Sequence, residues 1–386
     1  MKKKILQKIS LIKKRFRDKK INLHEPTILK DDIKNVVNAL KKKEVSTYGK
    51  YTSQFENKIS GIVKNKNIVS IINGTCALHL ALKILNIDKN SEVLVPSLTY
   101  VSTINAIIYN GAQPHFVEID PKNLSVDITK LDNYLKKTIK KKNNKNINKK
   151  TNKEIKYLLL VHLNGLCCDM FLLKKVLSKY NIKLIEDAAE AFGSFYKNKH
   201  LGTFGEIGIF SFNGNKILTT GGGGALVFKS KKLCKEAFSY ATNCKFSVRD
   251  EVHYKDVGYN YRLPSLNASL GITQINKISK FKKKKKNIFK FYKRIFFDDY
   301  YIQLLEPQKY LNSNYWLNTI TLKKNKEINK KNLMLLFKKN NINVRSLWTP
   351  LHKVKRYSKF QSMKLDQTEK VYRNSITLPS SPFLWR

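Results

Sequence analysis

Residues 68–86 read IVSIINGTCALHLALKILN and contain the first repeating unit of the fold. The run Ile68–Ile72 predicts a buried strand, and residues 75–86 carry apolar side chains at helical spacing. The alternation continues downstream, with strands predicted at 92–95, 115–119, 157–163 and 182–185 and helices at 100–110 and 170–180. Strands that alternate with helices indicate a mostly parallel sheet with helices on both faces. The predicted fold class is therefore α/β.

Three regions differ from this alternation. Residues 1–20 are basic and carry Ile5, Ile9, Ile12 and Phe16 at helical spacing. Such a pattern is compatible with an amphipathic helix on an anionic membrane surface, but we favour an extension that frays or packs on a neighbour. Residues 140–153 are a Lys/Asn-rich, low-complexity insertion that we expect to be solvated. We predict a basic tail at 1–20, a large domain at 21–265 and, after a change to Lys-rich texture, a small C-terminal domain at 266–386.

The formal net charge is +47, from 75 Lys and Arg against 28 Asp and Glu. Alone, this charge is typical of proteins that bind nucleic acid or an anionic surface. The excess is mostly Lys spread along the whole chain, with no platform of interleaved aromatic residues, so we favour a composition bias and expect no nucleic-acid partner. No apolar run approaches the roughly 20 residues that span a bilayer, so stable membrane insertion is not expected.

The five cysteines are scattered and include no CxxC pair. This pattern indicates reduced thiols and a cytoplasmic location. His162 with Cys167 and Cys168 lacks a second ligand pair at zinc spacing, so no metal site is predicted.

Four segments end predicted strands with residues that can bind or react, where ligands of open α/β sheets bind. In the first, Gly74 and Thr75 begin a helix and can hold a phosphate, although Thr is also a common N-cap. In the second, Tyr100 can stack on a flat ring or simply pack. In the third, Asp187 can hold a protonated ring nitrogen or begin a helix.

The fourth segment, residues 209–216, reads IFSFNGNK and leads to a run of four glycines at 221–224. Lys216 lies in a charge-poor stretch between a strand and these glycines. A partly desolvated amine has a lowered pKa and can attack an aldehyde, and the glycines permit close approach of the backbone to a ligand. The motif GxxxxGK[ST] is missing from the sequence, which excludes a phosphate-binding P-loop.

In this order, the four segments resemble the DegT/DnrJ/StrS family of sugar aminotransferases. The resemblance covers residues 21–381 and rests on NGTCALHLAL, PSLTYVSTINAIIYNGAQPHFVEID, EDAAEAFGS, GTFGEIGIFSFNGNKILTTGGGGALVF and VGYNYRLPSLNASLGITQ. It implies the aspartate-aminotransferase-like fold (fold type I of pyridoxal-phosphate enzymes), in which a large domain with a mostly parallel sheet precedes a smaller C-terminal α/β domain.

The resemblance also implies pyridoxal 5'-phosphate (PLP) as cofactor and assigns its contacts. Lys216 would be the Schiff-base lysine that afterwards shuttles a proton, and Asp187 would pair with the protonated pyridine nitrogen. The other implied cofactor contacts are Tyr100 on the ring, Gly74, Thr75 and Ser211 on the phosphate, Glu190 near the ring hydroxyl, and Asn260 on the phosphate of the neighbouring subunit. The contact assigned to Asn260 implies a homodimer with shared active sites.

Within the family, the chain looks most like the subgroup that aminates UDP- or GDP-linked 4-keto-6-deoxy sugars in legionaminic-acid and bacillosamine-type pathways. The cues are SFNGNK followed by GGGG, the pair Tyr315-Trp316, and residues 343–352. Arg345 and His352 are the candidate substrate contacts. The implied reaction takes an amino group from glutamate and places it on C4 of the keto sugar.

Other functions stay open at this point. Some relatives are dehydratases that carry His in place of the Schiff-base lysine, and Lys216 argues against that activity. A regulatory protein that keeps the fold without turnover would need a broken site, and none is visible. A basic surface-binding protein would rest on charge alone.

Overall fold

The computed structural model describes residues 2–17, 19–323 and 328–385. In chain order, the α-helices of these residues are α1 (Lys2–Phe16), α2 (Lys30–Lys41), α3 (Lys50–Val63), α4 (Gly74–Ile84), α5 (Val101–Tyr109), α6 (Ile128–Thr138), α7 (Met170–Lys179), α8 (Lys231–Ala241), α9 (Ser265–Asn276), α10 (Ile278–Ile295), α11 (Lys330–Lys339) and α12 (Asp366–Asn374). No helix within the described ranges is long and apolar enough to cross a membrane.

The strands, in the same order, are β1 (Ile68–Ile71), β2 (Ser91–Pro96), β3 (Gln113–Val117), β4 (Ile119–Asp120), β5 (Ser125–Val126), β6 (Ile139–Lys142), β7 (Lys145–Asn148), β8 (Glu154–Val161), β9 (Lys183–Asp187), β10 (Phe195–Tyr196), β11 (Lys199–His200), β12 (Ile207–Ser211), β13 (Gly224–Phe228), β14 (Lys245–Val248), β15 (Glu251–Tyr254), β16 (Ile302–Leu304), β17 (Leu311–Asn312), β18 (Asn318–Leu322), β19 (Arg345–Ser346) and β20 (Ser375–Leu378).

A nine-stranded main sheet has the order β1-β13-β12-β9-β8-β2-β3, with β7 added on β8 and β6 on β7. The pairs β12–β9, β9–β8, β8–β2 and β2–β3 are parallel, whereas β13 runs antiparallel to both β1 and β12. Strands such as β12 are buried along their whole length because helices cover both faces of the sheet. The predicted α/β class with a mostly parallel sheet is confirmed.

The insertion at 140–153 differs from the solvated loop that its composition led us to expect. β6 and β7 form an antiparallel hairpin that joins the main sheet through β8. Its lysines are exposed, but Asn146 and Asn148 are buried. Asn148 donates to Glu92 Oε2 at 2.8 Å, and Asn146 donates to the Tyr180 carbonyl at 2.7 Å. The side-chain amides of this hairpin are hydrogen-bonded to buried acceptors. The polar composition of the insertion therefore did not make it a solvated loop.

A second hydrophobic cluster surrounds the four-stranded sheet β16-β18-β20-β19. The apolar stripe of α1 (Ile5, Ile9, Ile12 and Phe16) belongs to this cluster, and Phe16 packs on Phe291 of α10 with ring centroids 5.7 Å apart. All four side chains are at most 3% exposed. The basic tail is therefore a helix whose apolar face is covered by the chain's own core. The domain boundaries themselves stay a prediction.

Candidate active site

The carboxyl ends of the parallel strands converge on one cavity. β9 ends at Asp187, β12 ends at Ser211, and the segments after β1 and β2 carry Gly74 and Tyr100. The cavity has a volume of about 340 Å³. Seven of the predicted site residues line it, namely Gly74, Thr75, Tyr100, Asp187, Glu190, Ser211 and Lys216. The parallel sheet thus brings together residues that lie up to 142 positions apart in the sequence, from Gly74 to Lys216.

One end of the cavity is built to hold an anion. α4 begins at Gly74, so its first amides have no carbonyl partner within the helix, and Asn73 Oδ1 accepts only from Cys76 N at 2.8 Å. A Cβ at Gly74 would lie 2.9 Å from the Ser211 Cβ, so only glycine lets the helix start approach β12 this closely. Thr75 Oγ1 donates to Ser102 Oγ at 2.8 Å. Free amides beside hydroxyls make a phosphate site.

Asp187 is a buried carboxylate with two internal donors. Its Oδ2 accepts from Thr103 Oγ1 at 2.8 Å, and its Oδ1 accepts from the Ala189 amide at 3.2 Å. Burial raises the pKa of Asp187 from its ordinary value, and these two hydrogen bonds act in the opposite direction. A protonated ring nitrogen is a partner that offsets the cost of burying such a charge. Sequence reasoning missed Thr103, although it follows Thr99 by one helical turn and the two hydroxyls lie 2.8 Å apart.

Lys216 projects from the turn after β12 and is largely buried, with a side chain that is 14% exposed. Its Nζ lies 3.7 Å from Glu190 Oε1 and 4.4 Å from the centroid of the Trp316 ring. Burial lowers the pKa of the Lys216 amine, while Glu190 and Asp187 raise it. A lowered pKa increases the fraction of neutral, nucleophilic amine near pH 7.

Glu190 is held from two sides by residues that the sequence analysis did not single out. Its Oε2 accepts from the Asn164 amide at 2.8 Å, and its backbone carbonyl accepts from Asn314 Nδ2 at 2.9 Å. Burial raises the pKa of Glu190, and the nearby Lys216 lowers it. Asn164 adopts a left-handed backbone with φ 56° just after β8. An Asn-Gly pair at a strand end was the available signal for this turn.

Tyr100 lies at the mouth of the cavity with 51% of its surface exposed. Its ring contacts Trp348, with centroids 4.9 Å apart, and the Arg345 guanidinium lies 3.9 Å from the Trp348 centroid. Trp348 lines the cavity, which the sequence analysis did not predict. A cation and two aromatic rings therefore stand together at the entrance.

Three predicted residues, Arg345, His352 and Asn260, are not among the residues that line the cavity. His352 contacts Ser97 Oγ through Nδ1 at 2.7 Å and Glu369 Oε1 through Nε2 at 3.2 Å, so both ring nitrogens have internal partners. Asn260 is exposed, and its backbone forms a bridge with Thr242. The substrate contact of His352 and the intersubunit contact of Asn260 remain predictions.

A lysine, a buried carboxylate and a phosphate cradle at the strand ends of an α/β sheet are typical of enzymes that bind a phosphorylated aldehyde cofactor. The comparisons with known proteins agree. Residues 26–385 match the DegT/DnrJ/EryC1/StrS aminotransferase family, and the chain belongs to it. It is thus a PLP-dependent aminotransferase.

Individual relatives are similar over nearly the whole chain. The chain is 32% identical to GDP-perosamine synthase of Vibrio cholerae over 371 residues, covering 94% of this chain and 95% of that protein. It is 33% identical to GDP-perosamine synthase of Escherichia coli O157:H7, covering 95% and 94%. The crystal structure of the aminotransferase TlmJ from Streptoalloteichus hindustanus superimposes with a TM-score of 0.84 at 22% identity, covering 94% and 93%. The TlmJ likeness concerns the fold.

The residues of the cavity fit PLP. The cradle at Gly74, Thr75 and Ser211 suits its phosphate, the buried Asp187 suits a protonated ring nitrogen, and the Lys216 amine suits its aldehyde. When bound, PLP supplies the electron sink that this chemistry requires.

Proposed function

We propose that this enzyme moves an amino group from glutamate to C4 of a nucleotide-linked 4-keto-6-deoxy sugar, for the biosynthesis of amino sugars and surface glycans. The observation that carries the proposal is the meeting of Lys216, Asp187 and the helix start at Gly74 in one cavity. The similarity to two GDP-perosamine synthases supports a nucleotide sugar as the acceptor.

The protein's own groups divide the work of this reaction. Lys216 Nζ would bind the cofactor and, as a free amine of lowered pKa, would carry the proton to or from the substrate carbon. Asp187 would stabilise the protonated ring nitrogen of the cofactor, and Thr103 fixes the orientation of the Asp187 carboxylate. Glu190, 3.7 Å from the Lys216 Nζ, favours the protonated amine and so balances the effect of burial.

Arg345 is our candidate contact for an anionic substrate. Its Nε is buried and has no hydrogen-bond partner among the described residues. An unpaired buried donor costs free energy unless a ligand supplies an acceptor. The carboxylate of glutamate and the diphosphate of a nucleotide sugar both supply one, and an arginine fork suits either group.

A homodimer is part of this proposal. Close to Asn260 in the sequence, the chain exposes Tyr254 and Val257, whose exposed fractions are 68% and 80%. Large apolar side chains that are exposed this close together favour a protein interface. We expect a dimer by sedimentation, and Val257→Asp should shift it toward monomers that bind PLP less tightly. A Val257→Asp variant that is monomeric but binds PLP as tightly as the wild type would contradict an active site shared between subunits.

A cytoplasmic location is the remaining part of the proposal. All five cysteines are free thiols, and three of them are buried. Such thiols persist in a reducing compartment.

The decisive experiment is the absorption spectrum of the purified protein beside Lys216→Ala, before and after addition of glutamate. We expect a yellow band in the wild type that glutamate bleaches, and no such response in the variant. A wild-type protein that stays colourless with added PLP would contradict the proposed enzymatic function. That result would favour a non-catalytic or basic surface-binding protein.

A further inference from the structure

The free amine of Lys216 rests on the face of an aromatic ring that arrives from a distant part of the chain. Its Nζ is 4.4 Å from the centroid of the Trp316 ring. Trp316 is 1% exposed and lies just before β18, 100 positions after Lys216. The opposite charge nearest to the amine, Glu190 Oε1, is 3.7 Å away.

Three hydrogen bonds fix the position of Trp316. Its indole Nε1 donates to the carbonyl of Asn215 at 2.8 Å, which ties the ring to the residue next to Lys216. Its amide donates to Asn314 Oδ1 at 2.9 Å, and its carbonyl accepts from Lys285 Nζ at 3.0 Å. Burial and the indole hydrogen bond hold the side chain, and the two other hydrogen bonds hold the backbone of the same residue.

Lys285 is an unusual support, because it is completely buried and has no carboxylate partner in the part of the chain that the structure describes. Its Nζ contacts the carbonyls of Trp316 and Ser380 and, at 2.9 Å, the partly buried His24 Nε2. It therefore joins α10 to the loop before β18, to the segment after β20 and to residues preceding α2. Lys285 therefore fixes the backbone of Trp316 through its carbonyl.

We propose that Trp316 is a positioning residue, whose ring face seats the amine of Lys216 whenever that amine is not bonded to the cofactor. The role deepens the proposed aminotransferase function and rests on it. A π face attracts an ammonium group more than a neutral amine, and the attraction grows where water is excluded. The ring thus sets both the position of the free Lys216 amine and its affinity for the proton that it transfers.

The test measures Lys216 in the protein freed of cofactor, so that turnover is not the readout. A small amine-reactive anhydride labels lysines between pH 6.5 and 9.5, and peptide mass spectrometry gives the pH midpoint for the Lys216 peptide. For Trp316→Leu we expect a roughly three- to tenfold larger neutral fraction of Lys216 at a fixed pH, seen as a midpoint at lower pH. Trp316→Phe, which keeps an aromatic face, should recover most of the wild-type midpoint.

Trp385→Leu is the matched control, because the Arg15 guanidinium lies 3.9 Å from the Trp385 ring and neither residue lines the cavity. It should leave the Lys216 midpoint unchanged. A substitution that only made Lys216 more accessible would change the final extent of labelling but not the pH midpoint. A midpoint in Trp316→Leu that is unchanged or higher overturns the role of Trp316. Should that variant not fold, Trp316→Phe is compared with Trp316→Met. A midpoint that is lower in Trp316→Phe than in Trp316→Met then overturns the role. The PLP spectrum of the wild type tests the proposed function separately.

Discussion

Lys216 and Lys285 are both largely buried, and their surroundings differ. Lys216 faces a cavity, with Glu190 Oε1 at 3.7 Å and Asp187 nearby. Lys285 does not line that cavity, and it contacts two carbonyls and His24. Burial lowers the pKa of both amines, but only for Lys216 do carboxylates act against it. A lowered pKa therefore does not identify a reactive lysine, whereas a cavity and opposing carboxylates do.

The largest expected effect comes from exchanging the two lysines in turn for an apolar side chain of similar length. Lys216→Met should lower kcat by about a thousandfold or more, because no other lysine of the described residues lines the cavity where the covalent link to the cofactor would form. Lys285→Met should keep most of the activity of the folded enzyme. The half-reaction with glutamate, followed by absorbance, measures both. Equal losses in the two variants would break the distinction between the lysines.

Lys216 has two carboxylates nearby and Lys285 has none among the described residues. Removing the charge of one of them, Asp187, should have the next largest effect. Asp187→Asn keeps the size of the side chain but cannot stabilise a protonated ring nitrogen, so we expect kcat to fall roughly a hundredfold. PLP should still bind through the cradle at Gly74. Asp169→Asn, which alters a helix-capping carboxylate outside the cavity, is the control and should leave kcat unchanged. Activity near the wild-type level in Asp187→Asn would remove Asp187 from the mechanism.

The smallest effect concerns the pH dependence of stability. Burial lowers the pKa of Lys285, so between that lowered pKa and the ordinary lysine pKa the unfolded chain binds one proton more than the folded chain. The contribution of Lys285 to the free energy of unfolding therefore rises with pH, by at most about 1.4 kcal/mol per pH unit. Lys285→Met should lack this rise between pH 7 and 9.5.

Urea denaturation of the wild type and the variant at several pH values measures that difference. Lys286→Met, on the exposed side of the same helix, is the control and should parallel the wild type. Parallel curves for Lys285→Met and the wild type would mean that Lys285 stays protonated in the folded protein.

The position of Lys285 was in fact readable from the sequence. Residues 282–286 are five consecutive lysines, and composition alone treats them alike. Helical spacing separates them, because position 285 falls on the stripe formed by Phe281, Ile288 and Tyr292, all of which are buried. The insertion at 140–153 gave no such signal, since its burial depends on side-chain amides that meet acceptors on other elements.

The sequence by itself determined the alternating strands and helices and the family, and it predicted the main cofactor residues. These features depend on local periodicity and on short motifs at strand ends, and both are written in consecutive residues. Only the tertiary structure decided that Trp316 covers Lys216, that Thr103 holds Asp187, that His352 is held by Ser97 and Glu369, and that α1 belongs to the second core. The reason is physical: each of these contacts joins residues far apart in the chain or on different elements, and packing sets their distances.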